Sequence, residues 1–503
     1  MSTIPSMTES KESPRVVGIS SLQRFWWYHS LVGNQIPSTI KQEKLNKFIH
    51  CKPQVQGDFK VYTYYIKLPK KKRGPDDEVY AKNPILVRLL PRAMSLIFDL
   101  QGNFLCILSG PCKFSGAQTL DEDEAENGHD CSVYDPAKTK EWIKFEKCQI
   151  TKTIKANGKF AICKIFRYED SSMIAFGSKN CHFVCYVNEL DTFIHTNPDV
   201  SDIVRSIGID IFANITNLER LVDYFNSGFS LVGELEDGMH FVPGDNTVSW
   251  FGLFKNGIPM EATSALSLIS SFGIKTVRHE VVFNPGDPLD KLQHVLTMSK
   301  CDNGEGSVLY IRNVKTGETQ LAKSKSAIYK LKRMFRQKWL WSPTTIGKTL
   351  IQRVTETKDY HLLNTDGAIR ITRRLFDFAH WLSDNHYPTQ VLNFTPVSSV
   401  RGILRPGFSH YWRKFIDETG LEDIHLTPDD FGDFDENVYS SAPELILFPV
   451  LNPSVRPLVI FLQDIQGGGK STIAHSLNGV RVVEQDICYG CTRATQFQLL
   501  KHI

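Results

Sequence analysis

The 503-residue chain sets 58 Lys and Arg against 55 Asp and Glu, a formal net charge of +3. So small a surplus does not announce a nucleic-acid binder by charge alone, and any basic surface must be local. Apolar content of 41% and charged content of 22% are ordinary for globular proteins, and no run approaches the roughly 18 consecutive apolar residues of a membrane helix. The length predicts about two to four domains. Eleven scattered cysteines predict a soluble protein of a reducing compartment, nucleus or cytoplasm, without a disulfide framework. The two close pairs, Cys181 with Cys185 and Cys488 with Cys491, lie far apart with different spacings, so incidental thiols are favoured over a zinc site.

In chain order, residues 1–20 open with "MSTIPSMTESKESPRVV", which lacks an apolar core and reads as a disordered tail rather than a signal peptide. Runs such as "FKVYTYYIKL" and "MSLIFDL" then predict strands between turns, up to about residue 120. Between them, "LPKKKRGPDD" (68–77) fits a nuclear import signal or a basic loop touching RNA or solvent. The acidic "LDEDEAENGHD" (120–130) reads as a solvated loop. From 140 to 325 the pattern is strand-rich, with "FAICKIF", "CHFVCYV", "FSLVGEL", "HEVVFN" and "SVLYIRN". Beyond 326 the period becomes helical: "RRLFDFAHWLSDN" puts Leu375, Phe378, Ala379 and Leu382 on one face, and "SHYWRKFIDETG" is a helix stopped by Gly420. Residues 426–455, acidic and holding four prolines, read as a linker. Residues 456–503 begin a new unit, a buried strand, "LVIFL", running into a glycine loop and a helix. No internal repeat is visible.

Within the strand-rich region, "ITKTIKANGKFAICKIF" (150–166) sets Lys155 before Ala-Asn-Gly, between two alternating runs. That pattern predicts a hairpin with Lys155 at its edge. A nucleophilic lysine must shed its proton, which burial and neighbouring cations favour, and glycine lets backbone approach a ligand. An exposed turn lysine is the plain alternative. Four downstream stretches bear on the choice: "FGSKN" (176–180), "LVGELED" (231–237), "EGSVLY" (305–310) and "LAKSKSAIYKLKRMFRQ" (321–337). With "KANG", they resemble, in order, the motifs of the covalent nucleotidyltransferases: RNA ligases, DNA ligases and mRNA capping enzymes. Any one arises by chance; five in order at the ends of strand-like runs rarely do.

The fungal and plant type of tRNA ligase is the nearest resemblance, over residues 85–425. It is carried by Lys155-Ala156-Asn157-Gly158, by Glu234-Leu235-Glu236-Asp237, by "SWFGLFKNG" and by "VRGILRPGFSHYWRKF". A relation to viral proteins that join a ligase to a kinase stays open. The resemblance implies an α+β chain: an adenylyltransferase domain of ATP-grasp-like antiparallel sheets (21–340), a helical domain (341–425) and a partial P-loop α/β kinase domain (456–503). It further implies that Lys155 attacks the α-phosphate of ATP and becomes lysyl-AMP, with Asn157 and Gly158 shaping the turn beneath the phosphates. Thr153 would offer a hydroxyl to adenine, and Lys179 would join the nucleotide contacts. Glu234 and Glu305 would contact ribose and hold hydrated Mg2+ or Mn2+. Lys323 and Lys325, read as alternating to opposite faces of their strand, would put at least one amine on the α-phosphate. RNA is the implied partner of a monomer. Gln320–Leu340, with seven Lys and Arg and three aromatics, suits phosphate contact and base stacking, or an amphipathic helix with a solvated basic face.

RNA ligases of this kind carry Arg-Gly within an Ala-Arg-Gly-Leu run before motif I. Here "RAMSLIFD" has Met94 and Ser95 in those places, with Arg92 two positions earlier, so either Arg92 reaches in from a shifted strand or the role is lost. "DIQGGGKST" resembles a phosphate-binding P-loop, with Gly469, Lys470, Ser471 and Thr472 around phosphates and Mg2+. Asp486, at the next strand end, matches the base of polynucleotide kinases. The segment is short for a kinase, and a truncated, degenerate or continuing domain without kinase activity is expected. An mRNA capping guanylyltransferase and a catalytically dead RNA-binding homologue remain as alternatives.

Overall fold

The computed structural model describes residues 20–31, 42–66, 79–80, 83–114, 136–193, 198–208, 218–236, 247–338, 363–384, 408–433, 435 and 438. The tail up to residue 19, the basic 68–77, the acidic 120–130 and all of 456–503 lie outside the described residues. Gly469, Lys470, Ser471, Thr472, Asp486 and the second cysteine pair fall there too. The chain divides into two compact units, Met1–Tyr329 and Lys330–Ile503. No helix of the described residues is long and apolar enough to cross a membrane.

The first unit is a mixed α/β fold whose described residues form three sheets, and every strand pair among them is antiparallel. In chain order, β1 (Ile49–Gln56), β2 (Phe59–Ile66), β3 (Met94–Asp99) and β4 (Phe104–Leu108) form a four-stranded sheet in sequential order. The strand β5 (Cys148–Ile154) belongs elsewhere. Next come β6 (Lys159–Tyr168), β7 (Ser171–Gly177), β8 (His182–Tyr186), β9 (Ser230–Leu235), β10 (Val248–Lys255) and β11 (Ile258–Pro259), which make a six-stranded sheet ordered β11-β10-β9-β6-β7-β8. The third sheet joins β5 to β12 (His279–Phe283), β13 (Gly306–Asn313) and β14 (Thr319–Lys325) in the order β12-β5-β13-β14.

Side-chain alternation explains the layering. In β6, Cys163 and Ile165 pack with Ile203, Leu221, Phe225 and Leu266 of the covering helices. Ile162 and Phe166, one position out of phase, pack with Ile97 and Leu108 of the four-stranded sheet. A strand covered on both faces reads as a near-continuous apolar run rather than an alternating one, which is why "FAICKIF" is apolar at every position but the buried Lys164. In the third sheet Ile150, Leu309, Ile311 and Ala322 face a core with Leu292 and Leu296 of helix Leu289–Lys300. The opposite face of the same strands is left for a cavity.

Lys155 does not sit at the edge of a hairpin. Strands β5 and β6 belong to different sheets, and Lys155–Gly158 is the crossover between them. The alternating pattern marked both strands correctly, but pairing partners are set by long-range packing that local periodicity does not carry.

The second unit holds helices Thr365–Asp384 and Phe408–Thr419, with Gly420 at φ +66° stopping the latter. Phe378 is fully buried, its ring centroid 5.5 Å from Phe408, 5.1 Å from Trp412 and 5.4 Å from Phe415. Two expectations change here. The acidic segment is no linker over 426–433: Leu426 and Asp430 are buried, Asp430 pairs with Arg370, and Asn364 N donates to Asp430 O at 2.7 Å. A carboxylate that closes a capping box with Thr427 looks like a solvated acid in sequence. Likewise Lys330 and Lys332, read as part of a basic surface, are buried. Lys332 lies 4.2 Å from the Trp412 ring centroid and 3.5 Å from Asp423, its amine internal rather than offered to phosphate.

Phe378→Ala should weaken this unit by about 3–5 kcal/mol through cavity formation. Denaturant unfolding of the full chain, followed by tryptophan fluorescence, should show the loss in the transition reported by Trp381 and Trp412. An unchanged midpoint would contradict the packing described.

Candidate active site

The crossover is shaped by two close backbone approaches. Ile154 N donates to Arg278 O (3.0 Å) and Lys155 N to Gly306 O (2.9 Å), so the third sheet's pairing runs to the foot of Lys155. A Cβ on Gly158 would lie 1.8 Å from Leu235 O; only glycine lets the crossover pass against β9. Gly306, at φ +124°, would carry a Cβ 2.1 Å from Ser324 O. That tight entry into β13 sets Glu305, the residue before it, beside Lys155.

The resulting contacts are short and enclosed. Lys155 Nζ lies 2.7 Å from Glu305 Oε1, with the two side chains 19% and 7% exposed. Asn157 Nδ2 donates to Glu305 Oε2 at 2.6 Å. Glu234, near the end of β9, accepts from Gly158 N at 3.2 Å. Asn157 and Gly158 thus grip the two carboxylates, where the sequence reading placed them directly beneath phosphates.

Burial by itself would drive the proton off Lys155, but Glu305 and then Glu234 outweigh it and hold the amine above its ordinary range. Burial would raise Glu305, yet Lys155, Lys325 and the hydrogen bonds from Lys155 and Asn157 hold it below the usual carboxylate range. Glu234 is raised, first by burial and also by Glu305, with Lys155 opposing. At rest the site therefore holds a lysine ammonium paired with an ionised Glu305, and Lys155 is not a free amine.

Above this pair opens a cavity of about 360 Å³, within the range of small-ligand sites. Its apolar lining comes from Ala156, Phe160, Phe251, Phe254, Val308 and Leu321. Five cationic side chains besides Lys155 also line it: Arg92, Lys113, Lys179, Lys323 and Lys325. Thr153 faces in as well, its hydroxyl donating to Val308 O at 3.3 Å. Lys323 and Lys325 both line the cavity, which corrects the opposite-face reading. Residues two apart on a strand share a face, and β14 pairs Val308 with Lys323 and Gly306 with Lys325.

Arg92 does reach the site. Ala93, at φ +53°, turns the chain just before β3, and Arg92 lines the cavity with a buried Nε that has no hydrogen-bond partner among the described residues. Lys113 and Phe114 were missed by sequence reasoning. Their segment is tied down by Arg92 N to Pro111 O (2.9 Å) and Cys112 N to Gly257 O (3.0 Å), long-range contacts with no periodic signature. Among the described residues no group of three or more His, Cys, Asp or Glu could hold a metal ion. A divalent cation at Glu305 would therefore depend on ligand phosphates and water, a mode that suits Mg2+. Cys181 and Cys185 are free thiols.

No family model matches the chain, and no curated protein matches it in sequence. Among solved structures it is similar to an archaeal ATP-dependent RNA ligase in two forms. Form 2 gives a TM-score of 0.41 at 11% identity over 80% of this chain and 92% of that one. Form 1 gives 0.35 at 11% identity over 79% and 83%. It is also similar to a Naegleria gruberi RNA ligase with PPi, at a TM-score of 0.26 and 10% identity over 56% of this chain and 96% of that one.

Glu305→Gln removes the charge that holds the Lys155 proton, so Lys155 should titrate at lower pH than in the parent. NMR titration of protein made with 13C-labelled lysine, with the Lys155 Cε signal assigned by its loss in Lys155→Ala, would read this without any nucleotide. An unchanged or higher Lys155 value would refute the ion-pair assignment.

Proposed function

We propose that the protein is an ATP-dependent RNA ligase that works through a lysyl-AMP intermediate, of the kind that joins tRNA halves or repairs broken RNA. The observation that carries the proposal is Lys155, largely enclosed in an ion pair with Glu305, in a cavity lined by apolar side chains and five further cations. Such a cavity is built for a polyanion with a flat, apolar end. Phe160, Phe251 and Phe254, with Thr153 in the same lining, suit a purine base. Arg92, Lys113, Lys179, Lys323 and Lys325 suit a triphosphate, and the unpartnered Arg92 Nε is a donor awaiting an acceptor. Among the cavity's cations Arg92 disfavours the charge on Lys155, which assists the deprotonation that must precede attack.

In the proposed reaction the Lys155 ammonium first gives a proton to solvent and the neutral amine attacks the α-phosphorus; the P–N bond forms as the bond to the bridging oxygen of the β-phosphate breaks, pyrophosphate leaves, and the nitrogen's extra proton passes to solvent. Lys323 and Lys325 stabilise the charge that develops on the α-phosphate oxygens. A bound divalent ion, held through phosphates and Glu305, would neutralise further phosphate charge. AMP then passes from Lys155 to the 5′-phosphate of RNA, and a 3′-terminal hydroxyl attacks that phosphate, expelling AMP and sealing the strand. The tRNA or repair role, and nucleotide use by Lys470, Ser471 and Asp486, rest on resemblance of the sequence.

Incubation with α-labelled ATP and Mg2+ should label the protein covalently. Lys155→Ala should abolish labelling, and Lys155→Arg should as well, because a guanidinium stays protonated. Labelling that survives in Lys155→Ala would remove the nucleophile assignment, and labelling by GTP alone would favour a capping enzyme. Because Lys155 rests as an ammonium, the labelling rate should rise with pH through neutrality. Lys325→Ala should slow it by about 10²–10³-fold, the scale of a lost transition-state donor; parent-like rates would place the α-phosphate elsewhere.

A further inference from the structure

Outside the cavity, one group of buried polar side chains touches the turn that presents Lys179. His182, Ser95 and Thr63 are each fully buried. His182 Nε2 lies 2.7 Å from Ser178 O, the carbonyl next to Lys179. A carbonyl only accepts, so Nε2 carries the proton and the neutral ring offers Nδ1 as an acceptor. Ser95 Oγ, 2.6 Å from Nδ1, therefore donates to it. With its one proton used, Ser95 Oγ must accept from Thr63 Oγ1 at 2.8 Å. Thr63 and Ser95 face each other directly across β2 and β3. The chain of donors runs one way, from the four-stranded sheet through the imidazole to the Lys179 turn. Burial also pushes His182 down to about 4, with the bond to Ser178 only partly opposing it, so the ring is neutral at physiological pH.

Gln56 braces the same element from β1. Its Nε2 donates to His182 O at 3.0 Å and its Oε1 accepts from Val184 N at 2.8 Å. The turn itself is closed by Ser178 N to Cys181 O at 3.0 Å.

We propose that His182 is a positioning residue for Lys179: held in one tautomer by Ser95 and Thr63, it fixes the Ser178 carbonyl and with it the turn that brings Lys179 into the cavity. The proposal rests on the nucleotide-binding use of Lys179 proposed above. It also assigns Ser95 a purpose in the place where the resembled ligases carry glycine: its hydroxyl sets the imidazole.

Two measurements on the full chain test it. The first needs no nucleotide: lysine acylation read by mass spectrometry, with Lys152 as the reference. His182→Leu and Ser95→Ala should change Lys179 reactivity relative to Lys152 by about three- to tenfold, the worth of one hydrogen bond. His182→Gln, whose amide can still donate to Ser178 O, should return it towards the parent. The second is the rate of lysyl-AMP formation in a double-mutant cycle. His182→Leu should raise the KM for ATP by about three- to tenfold with a smaller change in kcat. The same substitution should add nothing in a Lys179→Ala background, because residues acting through one another are not additive.

Fully additive losses, or Lys179 reactivity untouched in both variants, would overturn the proposal. If His182→Leu does not fold, Ser95→Ala carries both measurements. A parent protein that never labels would defeat the ligase reading, while the acylation arm would still decide whether His182 sets Lys179.

Discussion

The pairing of Lys155 with Glu305 is the constraint to which the rest of the first unit answers. Two opposite charges taken out of water lose their hydration, and only close contact with further hydrogen bonds makes the arrangement tenable. Here that contact is 2.7 Å, and Asn157 satisfies the second carboxylate oxygen. Glycines at 158 and 306 allow the backbone to come near enough for these bonds to form. Leaving either partner alone in this place would strand a charge, so the crossover and the entry to β13 are locked to one another.

Around that pair the division of labour follows from strand alternation. One face of β5, β13 and β14 buries Ile150, Leu309, Ile311 and Ala322 in a core. The other turns Thr153, Val308, Lys323 and Lys325 towards the cavity. Core packing therefore sets the register of the chemical groups: the strands cannot slip without taking apolar residues out of the core. The antiparallel ladder carries the same information along the backbone, with Gly306 opposite Lys325 and Ser307 opposite Ile154.

Much of this was legible in the sequence, and for identifiable reasons. Lys155, Glu234, Glu305, Lys323 and Lys325 stand at or near strand ends, where short apolar runs break off, so their order along the chain was readable and the structure brings them to one cavity. What failed was three-dimensional. The runs flanking Lys155 looked like a hairpin, yet they lead into different sheets. Lys323 and Lys325 were placed on opposite faces, although a two-residue spacing on a strand means a shared one. Arg92 and Lys113 arrive through a backbone turn at Ala93 and a strap tied to Gly257, neither of which has a local pattern. Lys332 and Asp430 looked like surface charges because partners distant in sequence, Asp423 with Trp412 and Arg370, are what allow them inside.

The protonated resting state of Lys155 has a consequence for selectivity. An ammonium has no lone pair, so Lys155 held by Glu305 and Glu234 is shielded from the small electrophiles of the cell: acyl phosphates, thioesters and reducing sugars. A free reducing sugar also brings no charge for the five surrounding cations to receive. The ion pair that holds the proton on Lys155 thus also guards the amine against acetylation and glycation.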